Sequence, residues 1–290
     1  MNGTQLRISR RSITIATALV GMVSLAIGAH AALNKRSLDA AKAIAAETSV
    51  DSSNKASRIA LVIGNGHYPD ANAPLSQPIN DARSLSAELR RDGFDVDVIE
   101  DASKDDMTRA VARLQAKVRP DSVVMLFFGG YGIQAGRESY MIPVDAKIWK
   151  ESDVRRNGVS IESVLDAVKE QGARAKLVVV DASRRNPYER RFRAFSHGLA
   201  PIAAPDNALI LTSATPGKVA DDGKGQHSVL VAELLNNLDA RDANKPSAAE
   251  AVFNKTRIAI ARASDGEQVP AVSSSLLEDV SFAASDKAGS

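Results

Sequence analysis

Residues 177–180, LVVV, form an unbroken apolar run that passes directly into Asp181. A run this short, closed by polar turn residues, reads as a strand buried on both faces, and such strands belong to parallel sheets covered by helices. Apolar runs recur at residues 59–63, 122–128 and 208–211, and residues 94–99 and 140–144 read as further strands. Amphipathic stretches lie between the runs. Ala82, Leu85 and Leu89 share one helical face within residues 78–91, which close at Gly93. Ser103 is placed to cap a second helix, with Asp106 in its first turn and Met107, Ala110, Val111, Leu114 and Val118 on one side. Ser160 caps a third, which bears Ile161, Val164, Leu165 and Val168 and ends at Gly172. Residues 228–238 read as a helix, and Pro246, Ser247 and Glu250 form a capping-box start for another that reaches Ala263. Strands alternating with helices define an α/β domain with a mostly parallel sheet.

This domain spans residues 58–284. The strand pattern pauses near Phe195, but no linker composition marks a boundary there. Residues 32–57 read as a flexible linker and residues 285–290 as a disordered tail. Residues 1–31 have the look of an export segment. Arg7, Arg10 and Arg11 precede a stretch without charge, and Ala29-His30-Ala31 fits a signal-peptidase site. Arg10-Arg11 has a twin-arginine look, and the same apolar run is long enough for an uncleaved membrane anchor. Both readings place the domain outside the cytoplasm, in the periplasm or tethered to the inner membrane.

Charge and composition narrow the chemistry. The formal charge is +2, and the basic excess lies in the N-terminal segment, so no broad positive field points to nucleic acid. Membrane contact is expected only through the N-terminal segment. With 4% aromatic residues, the core must be built from Val, Leu, Ile and Ala. The absence of cysteine excludes disulfides, thiolate metal sites and a cysteine nucleophile. Gly64-Asn65-Gly66 follows a strand, but His67-Tyr68-Pro69 stands where a dinucleotide motif needs a helix, so it reads as a turn. His67, His197 and His227 show no metal-ligand spacing, and neither a metal nor a cofactor is expected. Each of the three is a possible base for Ser183, or a solvated loop residue. Arg184, Arg185, Arg190, Arg191 and Arg193 crowd one segment that reads as a solvated charged loop. Ser183 lies just past a strand end, where open α/β sheets place ligands, but it is not in a G-x-S-x-G elbow.

Several of these segments occur in one order. RIALVIGN begins at Arg58, PINDARSLSAELRRDGFDV at Pro78, FFGGYGIQ at Phe127 and YMIPVDA at Tyr140. LVVVDASRRNP, GLAP, SATPGKVADDG and QVPAVSSSL follow. In this order they resemble the caspase-like domain of bacterial metacaspase-type cysteine peptidases. The resemblance implies a three-layer sandwich, with a mostly parallel sheet of about six strands and helices on both faces. It aligns the family's catalytic histidine with Tyr131 and its nucleophilic cysteine with Ser183. It implies oxyanion-hole positions at Gly132 and Ser183, and a pocket lined by Asp81 and Asp181 that favours Arg or Lys side chains. The bland reading of Asp81 is a first-turn helix acid, and of Asp181 a carboxylate satisfied by backbone N–H groups. With both catalytic positions substituted, the expectation is an inactive pseudopeptidase that binds a basic peptide, a protein or a second copy of itself. The alternatives are an endopeptidase that uses Ser183 and cleaves after Arg or Lys, and a structural envelope domain without peptide binding.

Overall fold

The apolar runs become strands in the computed structural model, which describes residues 57–70, 74–188, 198–220, 225–239 and 248–283. The N-terminal half comprises β1 (Arg58–Gly64), α1 (Pro78–Arg91), β2 (Asp95–Glu100), α2 (Lys104–Lys117), β3 (Val123–Gly129), β4 (Gly132–Ala135) and β5 (Glu138–Met141). Then come α3 (Glu151–Asn157), β6 (Val159–Ser160), α4 (Ile161–Glu170), β7 (Ala175–Asp181), β8 (Ala208–Thr212), α5 (Val229–Asp239), α6 (Ala249–Ala263) and β9 (Ala271–Ser274). The central sheet has six strands in the order β2-β1-β3-β7-β8-β9. All of its pairings are parallel except β8 with β9.

The sheet separates two apolar layers because successive residues of a strand point to opposite faces. On one face Val62, Met125 and Val179 pack with Leu85 and Leu89 of α1, Leu234 of α5 and Phe253 of α6. On the other, Leu61, Leu126 and Val178 meet Met107 and Leu114 of α2 and Leu165 of α4. Each of these buried side chains contributes roughly 1.5–3 kcal/mol of transfer free energy. Helix starts follow the local chemistry. Ser103 Oγ accepts from Asp106 N at 3.2 Å, and the Asp106 carboxylate accepts from Ser103 N at 3.2 Å, a reciprocal capping box. Ser160 Oγ likewise accepts from Ser163 N at the start of α4. Gly93, which closes α1, has φ +85°, a conformation that favours glycine.

Three elements differ from the sequence reading. The run at residues 140–144 is not in the central sheet. It contributes β5 to a separate antiparallel three-stranded sheet with β4 and β6. The sixth central strand is β9, whose sequence AVSS is half polar, in keeping with its half-buried place at the sheet edge. At α6 the capping residue is Ala248, with no side-chain cap, so Glu250 sits one position too early for the expected box. Ser247 lies outside the described residues, as do the export segment, the linker up to residue 56 and the tail. Among the described residues, no helix is long and apolar enough to cross a membrane.

Candidate functional site at the carboxyl edge of the sheet

Gly64, Gly129 and Asp181 are side by side in the sheet register, at the carboxyl ends of β1, β3 and β7. Three loops therefore converge where α/β sheets place ligands. They are tied together by backbone contacts. Asn65 N donates to Gly129 O at 2.8 Å, Gly130 N to Asp181 O at 3.2 Å and Gly132 N to Ala182 O at 3.0 Å. The buried Asn65 side chain donates to Ile142 O and accepts from Ala102 N.

Ser183 and Tyr131 lie at this junction, and both are buried. Ser183 is 1% exposed. Its N–H donates to Ser213 Oγ at 3.2 Å, and its carbonyl accepts from Ala220 N at 2.6 Å. The Gly132 and Ser183 N–H groups, expected at an oxyanion hole, thus both have internal acceptors. Tyr131 packs edge to face against Tyr68, with ring centroids 4.8 Å apart. The Tyr68 hydroxyl accepts from Tyr131 N at 3.0 Å and donates to Ile142 O at 3.1 Å. Burial raises the Tyr68 phenol well above its ordinary pKa. These rings belong to a third apolar cluster, with Ile133, Tyr140 and Tyr188.

Neither described histidine bonds to Ser183. His67, 73% exposed, holds Asp101 Oδ2 through Nδ1 at 2.5 Å. Asp101 Oδ1 also accepts from Gly66 N and His67 N, so the glycine turn is filled by the protein's own carboxylate. Partial burial pushes the Asp101 carboxyl up, but these donors outweigh it and hold it below the usual range. His227 turns to Asp81 instead. His197 lies outside the described residues.

The two acidic positions come close to each other, and each already has a partner. Asp181 Oδ2 is 3.4 Å from Arg184 Nη2. The same guanidinium donates to Gly130 O and to Asp181 O. Arg184 is therefore not part of a solvated loop: it folds back and is 5% exposed, because a buried carboxylate and converging carbonyls neutralise it. Among the described residues, the partner of the Asp181 carboxylate is this cation and not a backbone N–H group. Asp81, on α1, is wholly buried. Its Oδ1 lies 2.8 Å from His227 Nδ1, and both of its oxygens accept from Ser228 N at 3.3 Å. Desolvation and then the Asp181 charge push the Asp81 carboxyl up to about 6. On its other side, His227 Nε2 faces Ser84 Oγ at 3.4 Å. Ser84 and Ser228 escaped the sequence reading. For Ser84 the signal was its position, three residues after Asp81 on the same helical face. Nothing local ties Ser228 to Asp81, since 147 positions separate them. Among the described residues, no group of three or more His, Asp or Glu side chains could hold a metal ion.

A mostly parallel sheet between two helical layers, with its polar groups gathered at the carboxyl ends of the strands, defines an α/β domain of the three-layer sandwich class. The chain belongs to the caspase domain family, whose profile matches residues 57–281. It is also similar to the human mucosa-associated lymphoid tissue lymphoma translocation protein 1, with 27% identity over 133 residues. That match covers 46% of this chain and 16% of the human protein. The mouse homologue matches with the same identity and coverage. The chain thus corresponds to a small part of these relatives' length.

Proposed function

We propose that this is a caspase-domain protein of the bacterial metacaspase type that is inactive at Ser183 and acts by binding a peptide or protein partner. The observation that carries this reading is the environment of Ser183. Its hydroxyl has no imidazole beside it among the described residues, and the two candidate oxyanion donors are engaged internally. A serine needs a positioned base to become a nucleophile, and the phenol of Tyr131, with an ordinary pKa of about 10, is a poor one near neutral pH. In this reading the partner presents an Arg or Lys side chain to the acidic edge at Asp81 and Asp181. It must compete there with His227 and Arg184, so binding is weak until one of them is displaced. A second copy of the chain can supply such a side chain. The domain lies outside the cytoplasm, delivered or anchored by residues 1–31.

Purified chain and peptide reporters ending in Arg or Lys provide the test. The expected result is saturable binding without turnover, weakened by Asp181→Asn. Turnover that disappears in Ser183→Ala overturns the inactive reading, and an absence of binding favours a purely structural role. N-terminal sequencing of the mature protein tests export: a start at Ala32 indicates cleavage, and an intact segment indicates anchoring or retention.

A further inference from the structure

The histidine considered for Ser183 serves a different serine. The buried Asp81 carboxylate meets His227 Nδ1 at 2.8 Å, and His227 Nε2 meets Ser84 Oγ at 3.4 Å. Carboxylate, imidazole and hydroxyl stand in the order of a nucleophile whose base is oriented by a third group. Slightly long contacts of this kind are common before a ligand is bound.

Each member has surroundings that suit its position. Asp81 is pinned on both oxygens by Ser228 N, so it holds the ring in one place. With Nδ1–H donating to Asp81, Nε2 is the lone-pair nitrogen and accepts from the Ser84 hydroxyl. The His227 side chain is 26% exposed and Ser84 is partly exposed, so a reagent can reach them, whereas Ser183 is buried. Another serine on α1 provides a contrast. Ser86 donates to Ala82 O at 2.6 Å, the usual outlet for a hydroxyl within a helix. The Ser84 hydroxyl turns to the imidazole instead.

We propose that Ser84 is a reactive hydroxyl, with His227 as its base and Asp81 as the positioning residue, and that it takes acyl groups from small esters. Among the described residues two carboxylates, Asp81 and Asp181, stand here against one guanidinium, Arg184, which favours neutral or cationic esters over anionic ones. Ser84 Oγ bonds to the ester carbonyl carbon while its proton passes to His227 Nε2. The carbon–oxygen bond to the alcohol then breaks, and the alcohol leaves with that proton. Water, deprotonated by the same imidazole, releases the carboxylic acid and restores the serine. The sum is ester plus water to acid plus alcohol.

The full chain treated with an alkyl fluorophosphonate, then digested and mapped by mass spectrometry, decides the matter. Phosphorus bonds to Oγ, and fluoride and the hydroxyl proton leave. The expected adduct is on Ser84, absent in Ser84→Ala and retained in Ser183→Ala. His227→Gln should slow labelling about a hundredfold or more. Asp81→Asn should also slow it, and Asp81→Glu should restore part of the rate. Hydrolysis of p-nitrophenyl acetate should follow the same ranking. Alanine is a better helix former than serine, so Ser84→Ala is expected to fold, and its melting curve verifies this. No adduct on Ser84, labelling indifferent to His227→Gln, or an adduct on Ser183 alone overturns the proposal.

Discussion

At the residue scale, the carboxyl edge of the sheet is distinguished by buried charge. Asp81 is the clearest case, because its carboxyl is held at about 6, above the ordinary value of 3.8. A raised folded-state pKa means that the folded protein binds this proton more tightly than the unfolded chain. The stabilisation is complete below about pH 4 and is lost as pH rises through about 6. Relative to Asp81→Asn, the wild type should therefore gain stability as pH falls from 7 to 4, by an amount on the order of 2–3 kcal/mol. Urea unfolding of both proteins across that range checks the sign, and a flat difference contradicts it. Ser183 and Tyr131 pose a different problem. Ser183→Cys together with Tyr131→His replaces the side chains but leaves Gly132 N and Ser183 N on their internal acceptors. Loss of one oxyanion donor costs about 10²–10³ in rate, so this double variant should remain inactive toward Arg- and Lys-terminated reporters. Cleavage by it would mean that only the two side chains had been lost.

At the scale of elements, α1 matters most, because it carries both Asp81 and Ser84. It lies very close to β1: a Cβ at Gly64 would sit 2.4 Å from Pro78 O and 2.8 Å from Ala82 Cβ. Gly64→Ala should push the start of α1 off the sheet and destabilise the domain by about 1–3 kcal/mol. Fluorophosphonate labelling of Ser84 should fall with it, as its distance to His227 grows. Helix α2 offers a local comparison. Ser103→Ala removes one half of the capping box and should cost about 1 kcal/mol in urea unfolding, with no effect on Ser84. The helix starts were readable because caps are local. Ser103 and Ser160 lie next to the turns they close. The short strand β9 and the two-residue strand β6 were not readable, since pairing with distant strands, not their own sequences, holds them extended.

Across the whole molecule, the two ends of the domain are fastened to each other. Arg58 donates through Nη1 to Ser281 O and Phe282 O at 2.9 and 2.6 Å, and through Nη2 to Ala283 O at 3.0 Å. Its guanidinium also lies 5.3 Å over the Phe94 ring, and Phe282 packs against Phe253. Arg58→Ala leaves three carbonyls without this donor and should lower stability by about 2–3 kcal/mol. Amide exchange should quicken first at residues 280–283 and along β1, a pattern that a purely local effect would not give.

The sequence by itself determined the α/β class and the main strands and helices, while the pairing of Ser183 with the loop after β3 was only what the family resemblance implied. The class and the elements follow from the period of apolar residues and the position of turn residues, which are local properties. The tertiary structure decided which charges pair. Asp81 and His227 are 146 positions apart, and 54 separate Arg184 from Gly130 O. No local pattern encodes such contacts. They arise because parallel strands bring distant loops to one edge, and because a buried carboxylate there must find a cation or a donor within reach.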